Sequence, residues 1–166
     1  MQLQEESDME EESRKSFAQI TLYNQLIKEM DDLYRVYAKN CNLSETAFWI
    51  LYCIREREKE AFTQREICGY WFYTPQTVNS ALKNMTEEGL ITLRAEEGNR
   101  KSKRIYLTEK GKETAERIVV PLMDAERRAL AASGEQEAEV FLQTMKKHTE
   151  LFKEEITKLT EGAEPM

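Results

Sequence analysis

The chain has 166 residues, 31 of them acidic and 24 basic, for a net charge of −7 with histidine neutral, so it is long enough for one domain with at most an appended piece. Six glycines and three prolines amount to less than half the usual combined share of roughly 12%, which excludes collagen-like, linker-like and loop-dominated chains. Taken as an average field, −7 speaks against a polyanionic partner, whereas the 7 tyrosines, 6 phenylalanines and 2 tryptophans are enough to build a core between helices rich in Glu, Lys, Leu and Ala.

In chain order, residues 5–12 carry six acids in eight positions, a self-repelling run expected to form a solvated, disordered tail over residues 1–12. Phe17, Ile20, Tyr23, Ile27, Met30, Tyr34 and Tyr37 then recur at three- and four-residue steps, which predicts one face of a long helix ending near Asn40. Ser44 is a good N-cap for a helix over residues 45–58 that turns Ala47, Phe48, Leu51 and Ile54 to a core. Thr63-Gln64-Arg65-Glu66 has capping-box spacing and predicts a short helix from Gln64 to about Trp71. After a turn at Phe72 and Tyr73, Thr74-Pro75 signals a second start, because threonine caps and proline suits the first helical position. Val78, Ala81, Leu82 and Met85 form its buried face and Gly89 ends it in the left-handed conformation. Two short helices across a tight turn make a helix-turn-helix.

The period then changes. Ile91 and Leu93 alternate with Thr92 and Arg94, and Ile105 and Leu107 with Arg104 and Tyr106, which predicts two half-buried strands. The polar stretch from Glu96 to Lys103 reads as the tip of a projecting hairpin, a wing. Thr108 caps a helix from Glu109 to about Ala132 that Pro121 is expected to kink, Ser133-Gly134 breaks the chain, and a last helix runs from Glu135 to about Leu159. The fold class expected is mainly α with a small β-hairpin wing: a winged helix-turn-helix over residues 44–112, an N-terminal dimerisation helix over 13–43, C-terminal dimerisation helices over 113–160 and a tail over 161–166. The terminal helices have more apolar stripe than a small winged domain covers, so Phe17, Ile20, Tyr23, Phe141, Met145, His148, Phe152 and Ile156 are assigned to a homodimer interface.

Catalytic constellations are nearly absent. His148 is the single imidazole and lies on an apolar stripe, no two glycines are spaced for a phosphate loop, and no nucleophile elbow occurs, so no enzyme and no cofactor are expected. Cys41, Cys53 and Cys68 have no C-x-x-C spacing, which provides no zinc site or disulfide framework and fits a reducing cytoplasm. The longest apolar run, Ala47 to Ile54, is eight residues, far below the roughly 18 of a membrane span, and the acidic N-terminus is unlike a secretory signal, so no membrane partner is expected.

The distribution of charge is more specific than its total. Residues 63–112 hold nine basic residues against six acids, a net of +3, between flanks of −5 each, and four of the six residues from Asn99 to Arg104 are cationic. Beside this basic wing, the exposed face of the second short helix carries Thr74, Gln76, Thr77, Asn79, Ser80, Lys83 and Asn84, hydrogen-bonding side chains suited to base edges and phosphates, with no acid until Glu87. Gln64 and Arg65 at the start of the first short helix are candidates for the DNA backbone, and Arg94, Asn99, Arg100, Lys101 and Lys103 for the wing contact. The partner expected is double-stranded DNA. A winged-helix module that binds protein through its acidic helices or tail, with the wing as plain surface, is the alternative.

Gln64-Arg65-Glu66-Ile67, Thr77-Val78 through Met85 with Glu88-Gly89-Leu90-Ile91, and Arg104-Ile105-Tyr106-Leu107-Thr108-Glu109-Lys110-Gly111 resemble the MarR (multiple antibiotic resistance regulator) family of winged-helix transcription factors. The Leu-Thr-x-x-Gly ending of the wing is the most specific piece, and the likeness in layout spans roughly residues 13–160. It implies a homodimer with one recognition helix per subunit in successive major grooves of a pseudo-palindromic operator, acting as a repressor. The family's wing usually carries Asp-x-Arg; Asn99-Arg100-Lys101 departs at both motif positions, and Arg100 is expected to supply the minor-groove arginine. The resemblance further implies a small aromatic effector between the dimer helices and the winged domain, where Tyr34, Tyr37, Phe48, Trp49 and Tyr52 fall. The reactive cysteine that a peroxide-sensing branch carries early in the first helix is absent, Cys41 lying at that helix's end.

Overall fold

The computed structural model describes residues 2–57, 61–96 and 99–161, with side chains over 11–57, 61–95 and 103–161. In order the elements are α1 (Gln2–Asn40), α2 (Glu45–Arg57), β1 (Phe62–Thr63), α3 (Gln64–Trp71), α4 (Pro75–Glu87), β2 (Ile91–Glu96), β3 (Asn99–Leu107), α5 (Glu109–Ala132) and α6 (Glu135–Glu161). The helices dominate, and the strands form one small antiparallel sheet in the order β1-β3-β2. The chain divides within α5 into two compact units, one up to Val119 and one from Val120.

In the first unit the local signals act as their chemistry requires. Thr63 accepts from the Glu66 amide at 3.3 Å while the Glu66 carboxylate accepts from the Thr63 amide at 2.7 Å, closing a capping box on α3. Thr74 accepts from the Thr77 amide at 3.2 Å, with Pro75 in the first turn of α4, and Gly89 follows that helix with φ 72°. The core between these elements holds Phe48, Ile50 and Leu51 of α2, Ile67 of α3, Val78 and Met85 of α4, Ile91 and Ile105 of the hairpin, and Ala115 and Val119 of α5, all buried. From α1, Ala38 is fully buried and the Tyr37 hydroxyl donates to the Ile118 carbonyl at 2.7 Å, so the last turns of α1 are fixed to the core.

The start of α5 explains the Leu-Thr-x-x-Gly spacing. Thr108 accepts from the Gly111 amide at 3.0 Å, which caps the helix, and its hydroxyl lies 2.6 Å from the Gly89 carbonyl oxygen. Gly111 is buried where a β-carbon would collide with the carbonyl oxygen of Leu90. Lys110 donates to the Glu88 carbonyl at 2.6 Å. Three residues of one motif thereby hold the end of α4 against the start of α5.

Three expectations are corrected. The acidic run is helical: α1 starts at Gln2 and continues through residues 5–12, since a helix already nucleated further along adds residues at little cost. The hairpin tip is narrower than 96–103, because β2 runs to Glu96 and β3 begins at Asn99. A third strand, β1, pairs with β3 through Phe62↔Ile105 and Thr63↔Arg104; two residues show too little alternation to be read as a strand without that partner. The expected last residue of the second helix, Glu58, lies outside the described residues, as do Met1 and residues 162–166.

In the second unit, α6 is a helix of 27 residues with no buried residue, although it repeats Phe141, Met145, Phe152 and Ile156 at helical spacing. Gly134, at φ 94°, makes the break before it.

Candidate nucleic-acid interface

The amphipathic pattern of α4 separates its side chains cleanly. Val78, Ala81, Leu82 and Met85 are buried, and Thr74, Gln76, Thr77, Asn79, Ser80, Lys83 and Asn84 are exposed. The first turn holds no acid, so the positive end of the helix dipole is not cancelled there. Lys83 lies 3.9 Å from Glu87 with both side chains largely in solvent, a pairing worth little. The hydroxyls of Thr74 and Thr77 are 2.8 Å apart, which orders the N-terminal corner of this face.

Gln64 does more than stand at the start of α3. Its amide nitrogen donates to the Pro75 carbonyl at 2.6 Å, tying the beginnings of α3 and α4 together across the turn. A groove of about 730 Å³ runs beside them, with Gln64, Arg65, Cys68, Asn79, Lys103 and the buried Leu82 and Ile105 among its lining residues. One groove therefore receives candidates from α3, α4 and the wing. Burial pushes the Cys68 thiol up, which favours its protonated, unreactive form.

In the wing, Ile91↔Leu107, Leu93↔Ile105 and Ala95↔Lys103 are paired, and so are Thr92↔Tyr106 and Arg94↔Arg104. The register slips after Ala95, so that Glu96 pairs with Asn99 and residues 100–102 have no opposite partner. Arg100 and Lys101 thus sit on the extra backbone of a bulge in β3, a device that twists a strand and re-aims what it carries. Their side chains, with that of Asn99, lie outside the described residues. Arg94 is exposed, its guanidinium 4.7 Å from the centre of the Tyr106 ring, and Lys103 is exposed on the register position facing Ala95.

The five aromatic residues assigned to an effector site come together, packed ring on ring. Tyr34 lies 4.8 Å from Trp49, Tyr37 6.0 Å from Phe48, and Trp49 5.2 Å from Phe48 and 5.3 Å from Tyr52, measured between centroids. Sequence reasoning missed a sixth member. Trp71, at the C-terminal end of α3, stands 4.2 Å from Trp49 and 5.9 Å from Tyr52, with its indole nitrogen buried and without a hydrogen-bond partner. Its size and its place one turn after Ile67 and Cys68 were the available signals; what hid it was the lack of any local rule for which ring it meets.

The residues assigned to a dimer interface fall in both units. Phe17 and Ile20 on α1 and Phe141, Phe152 and Ile156 on α6 are exposed, Tyr23 and Met145 are partly covered, and the exposed His148 ring is stacked 6.0 Å from Phe152. The exposed apolar set is wider than expected, adding Leu22, Leu26 and Leu33 on α1 and Val140, Leu151 and Leu159 on α6. Among the described residues, no group of three or more histidine, cysteine or acidic side chains is arranged to hold a metal ion, and no helix is long and apolar enough to cross a membrane.

Residues 42–102 match the MarR family model. Similar solved structures include NMB1585, a MarR family regulator from Neisseria meningitidis, with a TM-score of 0.72 at 21% identity over 84% of this chain and 97% of that one. The MepR–DNA complex of S. aureus follows the same fold with a TM-score of 0.67 at 19% identity, covering 79% and 95% of the two chains. The transcription regulator MarR from Oenococcus oeni PSU-1 matches with a TM-score of 0.63 at 20% identity over 77% and 95%. Comparison with curated proteins gave no match. With helix-turn-helix, hairpin wing and the Leu-Thr-x-x-Gly junction in one unit, this chain has a winged helix-turn-helix fold that over residues 42–102 is similar to the MarR family.

Proposed function

We propose that the chain is a sequence-specific DNA-binding transcriptional regulator, acting in the cytoplasm as a homodimeric repressor on a pseudo-palindromic operator. The observation that carries this reading is the exposed polar face of α4, with no acid in its first turn, bordering a groove that also receives Arg65 and Lys103. In it, α4 is the recognition helix. Gln76, Asn79 and Asn84 read base edges, Thr74, Thr77, Ser80 and Lys83 meet phosphates and neighbouring bases, and Gln64 and Arg65 contact the backbone. The hairpin is the wing, with Arg100 entering the minor groove and Arg94, Asn99, Lys101 and Lys103 beside it. The DNA-bound form of MepR, which shares the fold, supports the partner.

Exposed apolar side chains support dimerisation: Phe17, Ile20, Leu26 and Leu33 recur along one helix and Phe141, Phe152, Ile156 and Leu159 along another, the kind of surface that marks an interaction site. Residues 13–43 and 113–160 are the dimerisation helices, flanking a winged domain at 44–112. The cluster of Tyr34, Tyr37, Phe48, Trp49 and Tyr52 is where a small aromatic effector would release the operator.

Selection of genomic fragments by the full chain, followed by footprinting, tests this reading. A symmetric footprint is expected, with affinity falling by about 10³ to 10⁵ between 50 and 200 mM salt if six to ten phosphates are met. Arg100→Ala with Lys101→Ala should weaken all duplexes and flatten that salt slope, whereas Gln76→Ala or Asn79→Ala should relax one base position by about 1–3 kcal/mol. Recovery of no fragment, or binding indifferent to salt, overturns it.

A further inference from the structure

Four described positions have a positive φ: Asn42, Phe72, Gly89 and Gly134. Glycine and asparagine accept that region at small cost, but a bulky aromatic does not. Phe72 nevertheless stands there at φ 56° and ψ 28°, as the C-cap of α3 in the turn of the helix-turn-helix. Its side chain is 85% exposed, more than that of any other large apolar residue described. Backbone strain and an apolar ring in water thus coincide at one residue of the reading head.

The neighbours show how the ring is turned outward. Trp71 is held in the aromatic cluster against Trp49, and Tyr73 is partly buried, with its hydroxyl bonded to Thr46. Two residues on, Thr74 caps α4, and two extended residues span at most about 7 Å. Phe72 therefore borders the N-terminal corner of the face that carries Gln76 and Thr77. The exposed residues that follow it in the chain, Thr74, Pro75 and Gln76, add no large apolar side chain to it, whereas α1 and α6 carry theirs in stripes. A single ring among hydrogen-bonding side chains suits the wall of a DNA groove, where deoxyribose and thymine methyl groups offer apolar surface beside polar edges.

We propose that Phe72 is an apolar DNA contact, pressing its ring on the sugar edge and a thymine methyl at the rim of the groove that α4 enters. This rests on the DNA-binding reading above and adds to it a residue that neither charge nor hydrogen bonding marks. The strain is maintained because the left-handed turn is what aims the ring away from the core.

Full-length wild type, Phe72→Gly and Phe72→Asn are compared on the duplex recovered by genomic selection, with thermal unfolding and oligomeric state measured alongside. Both replacements accept the left-handed backbone, so both are expected to unfold at or above the wild-type temperature. Affinity should fall about tenfold in both, the scale of one lost base contact, with the slope against salt unchanged because no cation is removed. Wild-type affinity in both variants overturns the proposal. So does a loss confined to Phe72→Gly, which would make turn stiffness the cause, and so does a changed oligomeric state, which would make the ring a subunit contact. Those results leave the DNA-binding reading standing; failure of the wild type to retain any duplex removes both.

Discussion

At the scale of single residues, the hydroxyl groups of the aromatic side chains show how strongly position decides chemistry. Burial, reinforced by the carboxylates of Glu45 and Asp31, pushes the Tyr73 phenol up to about 12. Tyr37 is raised by burial and by Cys41, and Tyr70 by the hydrogen bond it donates to Glu56 at 2.6 Å. A phenol whose folded value lies above its unfolded one binds its proton longer in the native state. Its contribution is complete below about pH 10, the unfolded tyrosine value, and is lost as pH rises toward about 12. Stability measured by urea unfolding between pH 9 and pH 12 should therefore fall with rising pH, and Tyr73→Phe should flatten that fall; an unchanged profile in the variant would assign the loss to other groups. The capping threonines and glutamate were legible in the sequence because a cap is a contract between residues three apart. Trp71 and Phe72 were not, since adjacent aromatic residues carry no local mark of which enters the core and which leaves it.

At the scale of elements, the junction of α4, the hairpin and α5 is the point at which sequence motif and packing coincide. Thr108 caps α5 and touches the Gly89 carbonyl, while Gly111 admits the Leu90 backbone. Thr108→Ala should cost about 0.5–2 kcal/mol as a lost cap. Gly111→Ala should cost about 1–3 kcal/mol, because the added methyl meets a backbone oxygen that cannot rotate aside. Chemical denaturation measures both, and a Gly111→Ala variant as stable as wild type would show that the junction yields. The wing behaves differently. Its alternation announced two strands, but the slip after Ala95 and the pairing of β1 with β3 are products of register and of a partner far along the chain.

At the scale of the whole molecule, the net charge of −7 conceals a +3 centre between flanks of −5 each. Under the proposed function, acidic flanks repel duplex from everything except the wing and recognition helix, which favours binding through one surface. Under the same proposal, the exposed stripes of α1 and α6 are the surfaces that a second subunit covers. Phe141→Glu with Phe152→Glu should shift the assembly toward monomer by sedimentation and weaken operator binding about as much as losing one of two half-sites. A dimer that persists would place the interface elsewhere.

The sequence by itself determined the order and type of the helices, their caps, the winged pattern and the family likeness, because periodicity, capping and turn chemistry act between residues at most a few positions apart. Only the tertiary structure decided that a two-residue strand pairs with β3, that Trp71 completes the aromatic cluster, and that Gln64 fastens α3 to α4. It also turned Phe72 outward in a left-handed turn. These depend on which distant groups compete for the same space and the same hydrogen bonds, and that competition exists only once the chain has folded.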